Sequence, residues 1–308
     1  MKPETPTVMQ PPGFPGLPSN WETEWLTLPG VDAKTQLFVW VHRKKEVERR
    51  PARVLFVIHG FGEHGGRYLH FPHYLEKSID VCVALDLRGH GRSEGIRGYA
   101  ENFEQLVEDV ETVLPRVVSR ETQRYGKIEL HLFGHSMGGH ILLRLLRRLK
   151  GVPVASASVS APFLGIHGPV PLVKKTAARL LSNVWGSLQL ATNLDAKTIS
   201  RDDGVVKTYV ADRLVHDLMT PRLFTTMTAA MKDTLLRDEA FEVPLQFQIP
   251  LQDRLVDSSK SLDLFKRLQG VSKQLKTYPD SFHEAMNDLD KESFFEDLRS
   301  WIEAHSSA

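Results

Sequence analysis

Hydrophobic and polar positions along this chain follow two periods in turn. Residues 54–58 (Val-Leu-Phe-Val-Ile) and 81–85 (Val-Cys-Val-Ala-Leu) are unbroken apolar runs, as expected of strands covered on both faces. The first delivers His59-Gly60 and the second Asp86. In 36–41, Leu37, Val39 and Val41 alternate with Phe38, Trp40 and His42, which together with 25–28 predicts a hairpin. Strands are also predicted over 128–133, over the small-residue run 154–160 closed by Ala161-Pro162, over 245–249 and over 274–278. Helical spacing predicts helices over 68–78, over 103–118 with a kink at Pro115, near 258–268 and near 291–305. The run 140–150 puts Ile141, Leu142, Leu145, Leu146 and Leu149 on one helical face.

Strands alternating with helices predict an α/β fold, a mostly parallel central sheet with helices on both faces. The alternation stops between 163 and 242. That stretch has amphipathic segments such as 171–190 and no clear strand, which predicts an all-helical insertion forming a lid. The domain reading is therefore a Pro-rich extended segment over 1–20, a core of 21–162 and 243–308, and a cap of 163–242.

Composition changes this picture little. The 308 residues suffice for one large domain with an insertion, and 41% hydrophobic with 25% charged is ordinary for a globular chain. A net charge of +1 gives no electrostatic reason to expect nucleic-acid binding. The single cysteine, Cys82, cannot form an internal disulfide and is read as a buried, inert thiol, which fits a reducing, cytoplasmic setting. The first 19 residues hold six prolines and no long apolar core, so they read as neither signal peptide nor membrane anchor.

The chemistry concentrates at the ends of predicted strands. Gly134-His135-Ser136-Met137-Gly138 is a G-x-S-x-G pentapeptide between a strand-like and a helix-like run, the context of a nucleophile elbow. A serine hydroxyl needs a base, an orienting acid and donors for the developing oxyanion. Among the histidines after Ser136, His140 lies in the elbow helix, His167 and His216 lie in the insertion, and His305 is near the end of the sequence. His283, in the loop after the strand 274–278, is the candidate base. Two aspartates follow the preceding strand: Asp253 is the candidate acid, and Asp257 reads as the N-cap of the next helix. Met137 N–H, at a helix N-terminus, and Phe61 N–H, in His59-Gly60-Phe61-Gly62, are the candidate oxyanion donors.

The run from His59 to Tyr68 (HGFGEHGGRY) resembles the H-G-x-G-E-H-x-x-R-Y loop of monoacylglycerol lipases and related lysophospholipases. Asp86 to Gly95 (DLRGHGRSEG) is similar to their D-x-R-G-H-G-x-S-x-G loop, and Gly134 to Gly139 to their elbow. The resemblance runs from about Trp21 to the end of the chain and implies an α/β-hydrolase with Ser136, Asp253 and His283 as triad. It further implies Glu63 and Arg67 shaping the head-group end, with Asp86 and Arg88 bracing loops. Two positions depart from the family pattern. Pro250 stands where a glycine usually precedes the acid, and Met286 stands where the mammalian lipase has a second histidine, which puts a glycerol-selective pocket of that kind in doubt.

The expected activity is a serine esterase acting on medium- or long-chain acyl lipids, with monoacylglycerol foremost. Lysophospholipid and general carboxylic esters are alternatives with the same chemistry, and a hydrolase-fold binding protein is the non-enzymatic one. The reaction calls for no metal and no organic cofactor. The expected partner is a lipid or ester small molecule. In 171–190, Leu172, Val173, Leu180, Leu181, Val184, Trp185, Leu188 and Leu190 accompany Lys174, Lys175 and Arg179, a composition that suits peripheral membrane contact as well as packing onto the core.

Overall fold

A computed structural model describes residues 8–47, 51–169, 171–237, 240–269 and 272–307. Residues 1–7 of the Pro-rich segment lie outside the described residues. The strands are β1 (Trp21–Pro29), β2 (Gln36–Lys44), β3 (Ala52–Ile58), β4 (Val81–Leu85), β5 (Ile128–His135), β6 (Val154–Ser160), β7 (Leu190–Ala191), β8 (Leu218–Met219), β9 (Leu245–Pro250) and β10 (Lys273–Tyr278). The helices are α1 (Phe71–Tyr74), α2 (Phe103–Tyr125), α3 (Met137–Leu146), α4 (Leu172–Val184), α5 (Asp203–Ala211), α6 (Pro221–Leu236), α7 (Ser258–Arg267) and α8 (Lys291–Ala304).

Eight strands form one sheet in the order β1-β2-β4-β3-β5-β6-β9-β10. β1, β2 and β4 pair antiparallel, and every later pairing is parallel. The alternation of side chains builds two cores. Val54, Phe56 and Ile58 of β3 join Val81, Val83 and Leu85 of β4 beneath α2, α3 and α7. Leu55, Val57, Cys82 and Ala84 point the other way, toward Phe71 of α1 and Phe294, Phe295 and Leu298 of α8. Both faces are therefore dry, which is why β3 and β4 read as unbroken apolar runs. Buried ion pairs fasten α2 to the sheet and to the loop after β4: Arg43 Nη2 lies 2.6 Å from Glu121 Oε1, and Arg88 Nε 2.8 Å from Asp109 Oδ2. Arg88 and Asp86 thus brace loops as expected, Asp86 accepting from Gly65 N–H at 2.7 Å and Arg92 N–H at 2.8 Å.

Three elements depart from the sequence reading. The helix expected over 68–78 is a 3-10 turn, Gly65–Tyr68, followed by the single turn α1: Pro72 has no N–H for the Tyr68 carbonyl, so it can stand only in the first turn of a new helix. The helix expected to end at 118 runs through Pro115 to Tyr125 and stops at Gly126, whose φ of 79° favours glycine. The stretch 163–242 is not wholly helical. Besides α4, α5 and α6 it holds the antiparallel ribbon β7–β8, pairing Leu190 with Met219.

Candidate active site

β5 ends in Gly134-His135 and α3 starts at Met137, so Ser136 carries the whole reversal of the chain, with φ 52° and ψ −117°. Such a backbone costs a non-glycine residue about 1–3 kcal/mol and persists only when its surroundings enforce it. Ser136 N–H donates to Ser160 C=O at 2.9 Å, and Ser136 C=O accepts from His140 N–H at 3.0 Å and Phe163 N–H at 2.9 Å. The flanking glycines supply the room. A Cβ at position 138 would fall 2.1 Å from Ile58 O, and one at 134 would fall 2.5 Å from Gly138 O.

The loop after β9 carries Asp253 and the loop after β10 carries His283. Leu251 N–H to Tyr278 C=O (2.9 Å) and Gln252 N–H to Ser281 C=O (3.1 Å) join them. Asp253 Oδ2 lies 2.7 Å from His283 Nδ1, while its Oδ1 accepts from Leu255 N–H at 2.8 Å and Val256 N–H at 2.9 Å. A carboxylate so held fixes the neutral imidazole with its proton on Nδ1, leaving Nε2 as the basic nitrogen. Burial alone would depress the His283 pKa. The charge and hydrogen bond of Asp253, with Glu284 and Glu63 behind, raise it above the usual histidine value. Asp257 is engaged elsewhere. It caps α7, its Oδ1 accepting from Ser259 N–H at 3.1 Å and Ser259 Oγ at 2.6 Å.

Ser136, Met137, Phe61 and His283 line one cavity of about 680 Å³, whose remaining wall is mostly apolar and includes Leu181, Phe224 and Met227 from 163–242. Among the described residues no lysine or arginine lines it. The Phe61 amide belongs to a peptide pinned by its carbonyl: His59 Nδ1 lies 2.7 Å from Gly60 O, and His59 Nε2 accepts from Leu87 N–H at 2.9 Å. Burial pushes His59 down to about 3, so it stays neutral in this bracing role.

Glu63 and Arg67 fare differently. Glu63 lines the cavity; Arg67 does not, but it holds the two carboxylates, Glu63 and Glu284, that do. Its guanidinium lies behind the wall, 2.6 Å from Glu63 Oε2 and, through two nitrogens, 2.7 Å from each oxygen of Glu284. Burial opposes ionisation of Glu284, but the charge and paired bonds of Arg67 hold it at about 2. For Glu63, burial outweighs Arg67 and pushes its carboxyl upward. Sequence reasoning gave no role to Glu284, although it directly follows His283. It also gave none to His135, whose buried ring packs 4.8 Å from that of His283. Met286 lies wholly in the core, so no second imidazole faces the cavity from that position.

The description "Serine aminopeptidase, S33" matches residues 49–290, well over half of the chain. The chain belongs to that family. A monoacylglycerol lipase of Mycolicibacterium smegmatis is 31% identical over 83% of this chain and 89% of its own length. An uncharacterised abhydrolase-domain protein of Dictyostelium discoideum is 30% identical over 82% of this chain, which spans only 26% of that longer protein. A soluble variant of monoglyceride lipase from Saccharomyces cerevisiae, solved with a substrate analogue, superposes with a TM-score of 0.79 over 99% of both chains at 20% identity, a likeness of fold. This S33-family chain is a serine hydrolase with the α/β-hydrolase fold.

Proposed function

We propose that the chain hydrolyses esters of single-chain acyl lipids, monoacylglycerol foremost, through an acyl-enzyme on Ser136. The observation that carries this reading is the apolar cavity of about 680 Å³ with Ser136, His283 and both candidate oxyanion amides in its wall. That volume lies within the range of small-molecule sites and suits one acyl chain with a small alcohol. Ser136 Oγ attacks the ester carbonyl as His283 Nε2 takes its proton, and the Phe61 and Met137 amides stabilise the oxyanion. The imidazolium, steadied by Asp253, then protonates the leaving glycerol oxygen. A water, deprotonated by His283, releases the fatty acid and restores Ser136.

A phosphate-bearing lysolipid would need the same chemistry, but the charge of the wall disfavours it. Glu63 and Glu284 line the cavity against the single guanidinium of Arg67 behind them, no lysine or arginine lines it among the described residues, and a buried phosphate without its own cation is costly. The test is a panel of matched acyl chains. kcat/KM for monoacylglycerol should exceed that for lysophosphatidate of the same chain by on the order of 10²-fold, about 3 kcal/mol of discrimination. Comparable values would replace the glycerolipid reading with a lysophospholipase. Failure of the wild-type protein to react with a fluorophosphonate would leave a binding protein instead.

The stretch 163–242 is proposed as a lid, since α4, α6 and the ribbon supply much of the cavity wall. Its outer surface is proposed to rest on a lipid surface. Val184 is 87% and Trp185 60% exposed, Leu172, Val173 and Leu180 are also exposed, and Lys175 and Arg179 lie nearby on α4. The Lys174 side chain lies outside the described residues. Among the described residues no helix is long and apolar enough to cross a membrane, so this contact is peripheral. Replacing Val184 and Trp185 by Ser should weaken sedimentation with vesicles severalfold while sparing hydrolysis of a soluble short-chain ester. Unchanged sedimentation would return these side chains to ordinary surface.

A further inference from the structure

The Glu63 carboxylate is shared in a way that lining a cavity does not explain. Its Oε1 accepts from Gly60 N–H at 2.6 Å and from Tyr68 Oη at 2.9 Å. Its Oε2 takes Arg67 Nη1 at 2.6 Å. Arg67 in turn grips both oxygens of Glu284, the residue after His283, and Glu284 Oε2 also accepts from Asn287 Nδ2 at 2.8 Å. Glu63, Tyr68, Glu284 and Asn287 are buried and Arg67 is nearly so, which shields these bonds from water. Gly60 itself sits against the nucleophile: a Cβ there would lie 2.9 Å from Glu63 Oε1, 3.2 Å from Ser136 Cβ and 3.3 Å from His135 Cδ2.

We propose that Glu63 is a positioning residue, holding Gly60 by its N–H so that the next amide, Phe61 N–H, is aimed at Ser136, and tying that loop through Arg67 and Glu284 to the loop carrying His283. Oxyanion donor and general base are thereby set at one spacing by one buried chain of bonds. Gly60 is gripped on both sides, its carbonyl by His59 and its N–H by Glu63, so the peptide bearing Phe61 N–H cannot rotate away. The geometry matters because a donor serves an oxyanion only within hydrogen-bond reach, and losing one such donor costs about 10²–10³-fold in kcat. The inference rests on the reading of Ser136 as nucleophile, with Phe61 as a donor.

Two variants separate aim from charge. Glu63→Asp keeps the negative charge beside Arg67 but withdraws the carboxylate by one methylene from Gly60 N–H. Glu63→Gln keeps an oxygen at full reach for Gly60 and Tyr68 but turns its amide nitrogen, which can only donate, toward Arg67, so it preserves the aim of Phe61 N–H and gives up the tie to Arg67. Glu284 retains its paired bonds to Arg67 in either case, so no buried guanidinium is left alone and both variants should fold, which a thermal melt checks. The expected result is a fall in kcat of about 10–10²-fold for Glu63→Asp with KM within about threefold, and a clearly smaller fall for Glu63→Gln. Affinity for a trifluoromethyl ketone, whose tetrahedral adduct uses the oxyanion amides, should fall in the same order. Equal losses in both variants, a greater loss in Glu63→Gln, or a change confined to KM or to melting temperature would overturn the positioning role. A wild-type protein that a fluorophosphonate does not label would instead remove the hydrolase reading beneath it.

Discussion

Ser136→Ala is expected to lower kcat on esters by on the order of 10⁴-fold or more, and to abolish labelling by a fluorophosphonate. Ser136 makes its structural contacts through its backbone, whose N–H meets Ser160 and whose C=O meets His140 and Phe163, and Ala retains all three. Both residue types bear the same strain at φ 52°, so the melting temperature should move by no more than a few degrees. A folded variant with near-wild-type turnover would show that the elbow serves the architecture alone and that another residue attacks the ester. Residual activity of 10³–10⁴ over the uncatalysed rate is compatible with the assignment, since the oxyanion amides and the cavity remain.

The parts of this site legible in the sequence are those written in short-range patterns. The elbow needs glycines at fixed distances from a serine between a strand and a helix, and the backbone at Ser136 and the crowded glycines at 134 and 138 show why no other small set of residues serves. The sheet was legible because β3 and β4 are dry on both faces and the run 36–41 alternates between two cores. The ribbon β7–β8 was not, because two-residue strands are too short to carry a period and are held by one pairing between distant segments. Helix 68–78 was over-read because its apolar residues serve loops and turns that happen to recur at helical intervals. The role of Glu284 was hidden for another reason. Its partner Arg67 is 217 positions away, and nothing local distinguishes a glutamate that neutralises a buried guanidinium from one facing water. The place of Arg67 is hidden for the same reason: a motif records that an arginine is present, not that it grips two carboxylates of the cavity wall.

The two aspartates after β9 give the second large effect. Asp253→Asn should reduce kcat by on the order of 10⁴-fold, whereas Asp257→Asn should leave it within about twofold. Asn at 253 can still accept from Leu255 and Val256 N–H through its oxygen, so the loop keeps its shape. Its amide nitrogen then faces His283 Nδ1 and can only donate. The imidazole must answer with a lone pair on Nδ1 and its proton on Nε2, and in that tautomer it cannot take the proton of Ser136. The pH dependence carries the same signature. In the wild-type protein Asp253 raises the His283 pKa against the effect of burial, so the acid limb of kcat/KM should lie above the ordinary histidine value of about 6.5. Without that carboxylate burial dominates, and the limb should move to lower pH on a much reduced plateau. Stability follows with its own sign. A base whose folded pKa is raised stabilises the fold below about pH 6.5 and loses that contribution as pH rises through the folded pKa, so the wild-type advantage over Asp253→Asn should be greatest at the acid end of that window. At 257, Asn caps α7 about as well as Asp, still accepting from Ser259 N–H, and the expected cost is only a few tenths of a kcal/mol. If Asp257→Asn proved the damaging change and Asp253→Asn the mild one, the 2.7 Å contact at His283 would be a structural pair and the orienting acid would have to be sought at the head of α7.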